Sequence, residues 1–164
     1  MKQLTNKQKY LQLCANENYA AKVPVFAQPF WLDTVAENWN VTLVCDSNEN
    51  IIAALPFCLK GNLLTKRIFL PQLSFYQSVL FFEDDLSSDD KNKLAAELFK
   101  QLPKTIKSYF KFLPEYSGLD ITNLGYKKET YNSYFISKDQ KFLDLSTNHK
   151  RNIQKGFKQR YIIE

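Results

Sequence analysis

Two short charged segments could bind a ligand, and the first of them is acidic. Residues 83–90 contain five carboxylates and no glycine, just before a helix is predicted to begin. Grouped carboxylates can hold a divalent cation, but consecutive acids on a loop are usually only solvated. Acidic side chains at the start of a helix interact favourably with the helix dipole and repel phosphate. We therefore expect an acidic helix cap at 83–90, with no metal site and no phosphate site.

The second charged segment is basic. Residues 146–164 hold five lysines and arginines against one glutamate, which is +4 of the net charge of +5. Lys150 and Arg151 could contact the phosphates of a nucleic acid or of a nucleotide. The alternative is that this segment is the solvated face of an amphipathic helix. His149 is the only histidine in the sequence, and without a visible partner it favours a structural role.

An aromatic loop is the third candidate. Residues 71–77 are predicted to connect two strands, and Tyr76 could stack on a bound peptide or sugar. The alternative is that Phe75 and Tyr76 pack against the sheet. The sequence shows no hydroxyl–histidine–acid triad, metal-ligand cluster or phosphate-binding loop, so no catalytic residue is identified.

Two helices are predicted before the first strand. Thr5 and Gln8 have the spacing of a capping box, and apolar residues follow at helical spacing over 6–18. Pro29 suits the first turn of a second helix, predicted over 29–38, because the N–H that proline lacks is not needed there.

A hairpin follows these helices. Strands are predicted over 39–45 and 51–59, and the turn residues 46–50 join them. Both strands carry apolar residues on both faces, which predicts a central hairpin covered on two sides. Pro56 cannot donate to a ladder, so we expect a bulge or an unpaired position there.

The remaining elements alternate between strand and helix. Leu94, Leu98 and Leu102 form the apolar stripe of a helix predicted over 87–102, and Ser146 is predicted to cap a last helix. Strands are predicted over 66–70, 78–82, 106–113, 126–136 and 141–145. This order predicts a mixed α and β fold with a largely antiparallel first half and a βαβ second half.

Several blocks of the sequence resemble a known family. They are VPVFAQPFWLDTVAENWNVTLV, AALPFCLK and PQLSFYQSVLFF, together with DLSTNHKRNIQKGFKQ, which is similar to the segment that begins the helix leaving the family's first domain. On these blocks the chain resembles the N-terminal domain of the FemAB-like proteins, which have the GNAT acyltransferase-type fold. The resemblance implies a GNAT-like mixed, largely antiparallel central sheet flanked by helices.

The resemblance also implies a function. FemAB-like proteins are acyl- or aminoacyltransferases with two GNAT-like domains, and they commonly use aminoacyl-tRNA as the donor. We expect a GNAT-like domain over 1–145, and a basic helix over 146–164 that leads toward a second domain outside the sequence. Such a domain would act mainly in binding an amine acceptor, a peptide or a nucleotide sugar, in bacterial-type cell-envelope biosynthesis.

The resemblance further implies which residues and cofactors are involved. The substrate-binding residues would be Trp31, Tyr76, Gln77, Lys150 and Arg151. GNAT enzymes hold the coenzyme A pyrophosphate on a glycine-rich turn at a helix start, where this chain has its acidic segment. We therefore expect no coenzyme A and no other cofactor in this domain, with an acyl or aminoacyl donor bound by the full protein. The expected partners are a second GNAT-like domain or a second copy of the chain, and tRNA.

The composition sets further bounds. A length of 164 residues fits about one domain, and 45% hydrophobic residues can form a core. No apolar run reaches the roughly 18 residues that a membrane helix needs, and the polar N-terminus predicts a cytoplasmic protein. Cys14, Cys45 and Cys58 lack metal-ligand spacing, which predicts free thiols in a reducing compartment.

Two other functions fit the same residues. The acidic segment at 83–90 favours a non-catalytic binding or dimerisation module with the same fold. A weaker alternative is nucleic-acid binding through the basic helix, residues 148–160.

Overall fold

The computed structural model describes residues 4–62, 64–116 and 118–130, and the single positions Thr147, Arg151 and Gln154. The chain separates into two compact units, Met1–Thr130 and Tyr131–Glu164. In the second unit the three described positions all have helical backbone, which agrees with the helix expected after residue 146.

The first two helices are separated by one asparagine. Helix α1, Asn6–Ala15, begins at the predicted capping box, in which the Thr5 hydroxyl accepts from the Gln8 N–H at 3.2 Å and the Gln8 side chain accepts from the Thr5 N–H at 2.9 Å. The predicted helix ends early because Asn16 has extended backbone. Its side chain then caps α2, Glu17–Ala20.

The third helix starts as predicted and also ends early. Helix α3, Pro29–Val35, has Pro29 in its first turn and stops because Ala36 is extended. The residue that precedes α3, Gln28, donates its amide to the carbonyls of Ala20 and Val23, each at 2.9 Å. These two bonds tie the start of α3 to the end of the preceding segment.

The central hairpin is confirmed. Strand β1, Trp39–Cys45, pairs antiparallel with β2, Ile51–Lys60, and Trp39 lies opposite Cys58. The register shifts at Cys45, which faces Ile51, because a bulge lies between Val44 and Cys45.

Pro56 causes no bulge in the hairpin. It lies opposite Val41 in continuous register with β1. On the other edge of β2, Pro56 falls between residues 53–54 and 58–60, which pair with two different strands. No ladder hydrogen bond is therefore required from proline at this position.

The rest of the sheet confirms a mixed α and β fold. Strands β3, Arg67–Phe69, and β4, Leu80–Phe81, both pair antiparallel with β2. Helix α4, Ser88–Lys100, connects β4 to β5, Lys107–Ser108, which pairs parallel with β3. The five-stranded sheet has the order β1-β2-β3-β5 with β4 also on β2, so it is mostly antiparallel with one βαβ crossover.

Both faces of the hairpin are covered, as its apolar pattern predicts. One core cluster contains Val41 and Leu43 and packs against α1 and α3. The other contains Val44 and Leu55 and packs against α4. Alternate residues of β1 therefore enter different cores, which explains why this strand is apolar on both faces.

The predictions for the later strands were less accurate. The strand predicted over 106–113 is short, and beyond β5 it continues only as a bridge between Lys111 and Gln77. Residues 126–130 are not strand, and the remainder of the strands predicted over 126–136 and 141–145 lies outside the described residues. Two 3-10 turns follow, Pro114–Tyr116 and Thr122–Leu124, and Gly125 ends the second with φ 85°.

No helix in the described part of the chain is long and apolar enough to cross a membrane.

Candidate ligand-binding cleft

A gap in the sheet positions the candidate site. Strands β3 and β4 pair with the same edge of β2, β3 at residues 58–60 and β4 at residues 53–54. The chain between them, residues 70–79, leaves the sheet and is called the excursion loop below. The middle of β2 therefore has β1 on one edge and the excursion loop on the other.

Gln77 fills the gap with its side chain. It is only 7% exposed. With its amide oriented as its neighbours require, the side-chain oxygen accepts from the Cys58 N–H at 2.7 Å and the nitrogen donates to the Phe69 carbonyl at 2.9 Å. Its backbone N–H donates to the Lys111 carbonyl at 2.9 Å. The Gln77 side chain thus bonds to both β2 and β3 at the point where the excursion loop leaves the sheet.

The resemblance implied that Gln77 binds a substrate. The sequence did not reveal its hydrogen bonds to the protein backbone. Gln77 stands in the largely apolar run FYQSVLFF, which indicates burial, but its hydrogen-bond partners are distant in sequence. Since both ends of the amide bond to the protein, Gln77 shapes the cleft rather than offering an open hydrogen-bonding group.

Aromatic rings join the excursion loop to the segment before α3. The Phe26 ring lies 5.3 Å from Trp31, 5.5 Å from Phe75 and 5.7 Å from Tyr76, centroid to centroid. The Trp31 indole N–H donates to the Ser74 hydroxyl at 3.0 Å. The predicted site residues Trp31 and Tyr76 are therefore neighbours of one ring, Phe26, which sequence analysis did not single out.

A cleft opens beside these rings, with a volume of about 320 Å3 including the part open to solvent. Only about 20 Å3 of it has room for the centre of a water molecule, which is the scale of a single water site. Phe26 and Leu32 line one side, Pro56 of β2 contributes to the lining, and Tyr76 and Gln77 line the other side. The cleft thus lies at the gap in the sheet.

A second tryptophan, Trp39, belongs to the same core cluster as Leu32 of the cleft lining. Trp39 is 3% exposed, and its indole N–H donates to the Asp33 carboxylate at 2.7 Å. The Lys7 ammonium lies 3.8 Å from the centroid of the Trp39 ring, and the Tyr10 ring meets it edge to face. The Tyr10 hydroxyl donates to the Ala27 carbonyl at 2.9 Å, which ties α1 to the wall of the cleft.

The acidic segment caps α4, as predicted. The Ser87 hydroxyl accepts from the Asp90 N–H at 3.1 Å and donates to the Asp90 carboxylate at 2.6 Å. Asp89 and Asp90 lie in the first turn, and Asp84 forms a 2.7 Å ion pair with Lys22. Carboxylates of the protein therefore occupy the start of α4, and their negative charge opposes phosphate binding there.

Removal of this cap has a defined cost. We expect Ser87→Ala to lower the free energy of unfolding by about 1 kcal/mol, because the N-terminal turn of α4 loses its side-chain acceptor. Ser88→Ala, in the next and exposed residue, is the matched control and should change little. Urea denaturation of the two variants measures the difference in their free energies of unfolding. Equal losses in both variants would contradict the capping role of Ser87.

The same variant has a pH signature. The hydrogen bond from Ser87, followed by Lys93, lowers the pKa of Asp90. A lowered folded-state pKa stabilises the protein above the unfolded pKa of aspartate, and that contribution is lost as the pH falls through the folded value. The Ser87→Ala deficit should therefore be larger at neutral pH than in acid.

The other predicted groups are placed as follows. Arg151 is exposed on helical backbone in the second unit, while Lys150 and His149 lie outside the described residues. All three cysteines are free, and burial raises the pKa of the Cys58 thiol to about 12, so it stays protonated and unreactive. The described residues contain no group of three or more His, Cys, Asp or Glu side chains that could hold a metal ion.

Comparison of the chain with protein-family models, with curated proteins and with solved structures found no match.

Proposed function

We propose that this chain is the acceptor-binding domain of an acyl- or aminoacyltransferase of the FemAB-like type, with a GNAT-like sheet. The observation that carries the proposal is the cleft at the gap in the sheet, where Trp31 and Tyr76 meet around Phe26. A concave, mainly apolar site with a few polar groups is the usual form of a small-ligand site. The mostly antiparallel sheet with one βαβ crossover supports the same proposal.

In this proposal the domain acts by positioning an acceptor. Transfer of an acyl group from an ester to an amine starts from a reactive donor, so correct placement of the amine supplies much of the rate. The aromatic surface beside the cleft would contact part of a peptide or nucleotide-linked peptide acceptor while its amine stays outside. The acidic cap of α4 favours an aminoacyl donor over coenzyme A, because a pyrophosphate at this helix start would meet Asp89 and Asp90.

The test is acceptor binding followed by residue-resolved NMR. A UDP-linked muramyl pentapeptide is titrated into the 15N-labelled chain, and we expect the amide signals of the excursion loop and of residues 26–32 to shift. Tyr76→Ala should weaken binding by about tenfold through loss of ring stacking.

Tyr109→Ala provides the matched control, because Tyr109 is 43% exposed and does not line the cleft. It should leave the affinity unchanged. Binding that ignores Tyr76→Ala, or no binding at millimolar acceptor, would contradict the proposal. Coenzyme A titrated in the same way should leave the α4 signals in place.

Exposed apolar side chains at the start of α3, just before it and on the excursion loop favour a second candidate, a non-catalytic binding or dimerisation module. Val25, Phe30, Leu73 and Phe75 are between 46% and 76% exposed, and exposed apolar patches often mark interaction surfaces. A light-scattering mass equal to one chain over a wide concentration range would contradict dimerisation. Transfer to the acceptor by the chain together with an aminoacyl-tRNA donor would contradict the non-catalytic reading.

A further inference from the structure

Positive charge is concentrated at one end of the sheet. Strand β2 ends there, and β3 and β5 begin there, because β3 runs antiparallel to β2 and parallel to β5. The segments at this end, residues 60–67 and 100–107, contain six lysines and arginines and no Asp or Glu. They are called the basic end below. The net charge outside residues 146–164 is small only because acidic segments such as 83–90 offset the basic end.

The strand register places three of these cations in a row. Lys60 lies opposite Arg67, and Arg67 lies opposite Lys107. Directly opposite residues project from the same face of a sheet and lie close together. All three are exposed, and within the described part of the chain none of them forms an ion pair. Like charges directly opposite one another destabilise a sheet, so this cationic row has a cost that the fold does not offset.

Protection of a sheet edge explains only part of the cationic row. Strand β5 is at the edge, where a lysine discourages pairing with another chain. Arg67 is different, because β3 is paired with β2 on one side and with β5 on the other. Glu37 adjoins Asn38, whose carbonyl accepts from the Leu59 N–H at 2.8 Å, but among the described ion pairs Glu37 has none with Lys60. The positive charge is therefore available to an anion from outside the chain.

Exposed aliphatic side chains lie among these cations. Leu64 is 82% exposed in the turn between β2 and β3, and Ile106 is 71% exposed just before β5. They belong to the same end of the sheet, because the Ile106 N–H donates to the Lys66 carbonyl at 2.9 Å. The Asn62 side-chain oxygen accepts from the N–H groups of Leu64 and Thr65, each at 3.0 Å. Leu64 is thus held in water by an ordered turn, although its burial would be favourable.

Cations around exposed aliphatic side chains match the surface of an anionic membrane. A lysine or arginine near such a surface is attracted by the negative headgroups. Leucine and isoleucine gain free energy when they enter the boundary between the headgroups and the acyl chains. A nucleic acid would also attract the cations, but proteins bind it through phosphate contacts, base edges and aromatic stacking, in which an aliphatic side chain gains little.

We propose that the basic end of the sheet binds the surface of a membrane that contains anionic lipids. In this contact the cationic row lies on the headgroups, and Leu64 and Ile106 reach the acyl boundary. The inference goes beyond the proposed transferase function and does not depend on it. Lys60 is four residues along β2 from Pro56 of the cleft lining, about 13 Å, so binding would bring the cleft close to the membrane surface.

Co-sedimentation with lipid vesicles tests this inference. The full chain is mixed with vesicles of phosphatidylcholine alone, or of phosphatidylcholine and phosphatidylglycerol in equal parts. We expect binding to the mixed vesicles only, and weaker binding as the salt concentration rises, because salt screens the attraction between the cations and the headgroups. Binding to neither kind of vesicle, or equal binding to both, would overturn the inference.

Two double variants locate the electrostatic contact. Arg67→Gln with Lys107→Gln should lower the partition coefficient for the mixed vesicles roughly tenfold or more, because two cations leave the bound surface. Lys150→Gln with Arg151→Gln removes the same two charges from the second unit and should have a much smaller effect. Equal losses in the two double variants would show that net charge alone drives adsorption, and would overturn the proposed site.

A pair of leucine variants tests the apolar contact. Leu64→Ser should lower the partition coefficient several-fold, whereas Leu73→Ser, which changes a leucine that is 76% exposed on the excursion loop, should not. All the variants in the first unit change exposed residues, so far-UV circular dichroism should match that of the parent chain. Equal effects of the two leucine variants would contradict insertion of Leu64 and overturn the inference.

A DNA duplex serves as the competing polyanion. Binding of the duplex through Arg67 and Lys107, without binding to the mixed vesicles, would overturn the inference in favour of a nucleic-acid surface. Vesicle binding that the duplex does not displace at equal phosphate concentration would support the membrane contact. Failure of the muramyl probe to bind would bear on the proposed function alone, because neither the vesicles nor these variants involve the cleft.

Discussion

Replacement of Gln77 by leucine is expected to lower the free energy of unfolding by about 2–4 kcal/mol. Leucine keeps nearly the same volume but leaves the Cys58 N–H and the Phe69 carbonyl without their partner. Each unsatisfied buried polar group costs about 1–3 kcal/mol. Urea denaturation monitored by circular dichroism measures the loss.

The matched control lies in the same loop. Gln72 is exposed, so Gln72→Leu changes the same chemistry without removing a buried bond. We expect a change within about 0.5 kcal/mol for this variant, as for most surface substitutions. If the two variants lost the same stability, the assigned role of Gln77 in the gap would be wrong.

Gln77→Glu adds a pH test of the same geometry. The ionised carboxylate accepts from the Cys58 N–H but cannot donate to the Phe69 carbonyl, and burial raises its pKa. The protonated form can make both bonds. A raised folded-state pKa means that the stability is present below the unfolded pKa of glutamate and is lost as the pH rises through the folded value. The deficit of Gln77→Glu should therefore shrink in acid, whereas that of Gln77→Leu should not.

Replacement of Trp39 by alanine is expected to cost about 3–5 kcal/mol. The side chain is 3% exposed, meets Tyr10 edge to face and bonds to Asp33. Truncation of a buried tryptophan removes its transfer free energy and leaves a cavity. Loss of the cation–π contact with Lys7 adds to the effect. Thermal and urea denaturation should both show a large decrease.

The other tryptophan supplies the comparison. Trp31 is half-buried, packs on Phe26 of the cleft lining and donates a hydrogen bond to Ser74 of the excursion loop. Trp31→Ala should lower the free energy of unfolding less than Trp39→Ala does, because the Trp31 side chain buries less apolar surface than the Trp39 side chain. It should weaken binding of the UDP-linked muramyl pentapeptide more strongly than a Trp39→Phe variant does. The reverse order in either measurement would contradict the division between a core tryptophan and a cleft tryptophan.

Much of the fold could be predicted because it depends on interactions between residues that are close in sequence. The capping box at Thr5, the proline in the first turn of α3 and the serine cap of α4 each act within four residues, so their side-chain types identify the helix starts. The two-sided apolar pattern of residues 39–59 predicted a central hairpin because alternate side chains of a strand enter different layers.

Element ends and later strands could be predicted less well. Helices α1 and α3 end early because Asn16 and Ala36 adopt extended backbone. Neither residue is a proline or glycine, so the sequence contains no strong signal for these helix ends. The strand predicted over 106–113 is mostly absent because its alternation also suits an irregular segment that packs Phe110 and Phe112 on α4. Alternation alone does not supply a pairing partner.

The sequence alone determined the starts of α1, α3 and α4, the hairpin, the mixed α and β class and the acidic cap of α4. The tertiary structure alone decided that β3 and β4 share one edge of β2, that Gln77 fills the gap between them, and that Phe26 gathers Trp31 and Tyr76. Trp31 and Ser74 meet across 43 residues of sequence. Such contacts depend on how distant segments pack against one another, and residue types and short spacings do not encode that placement.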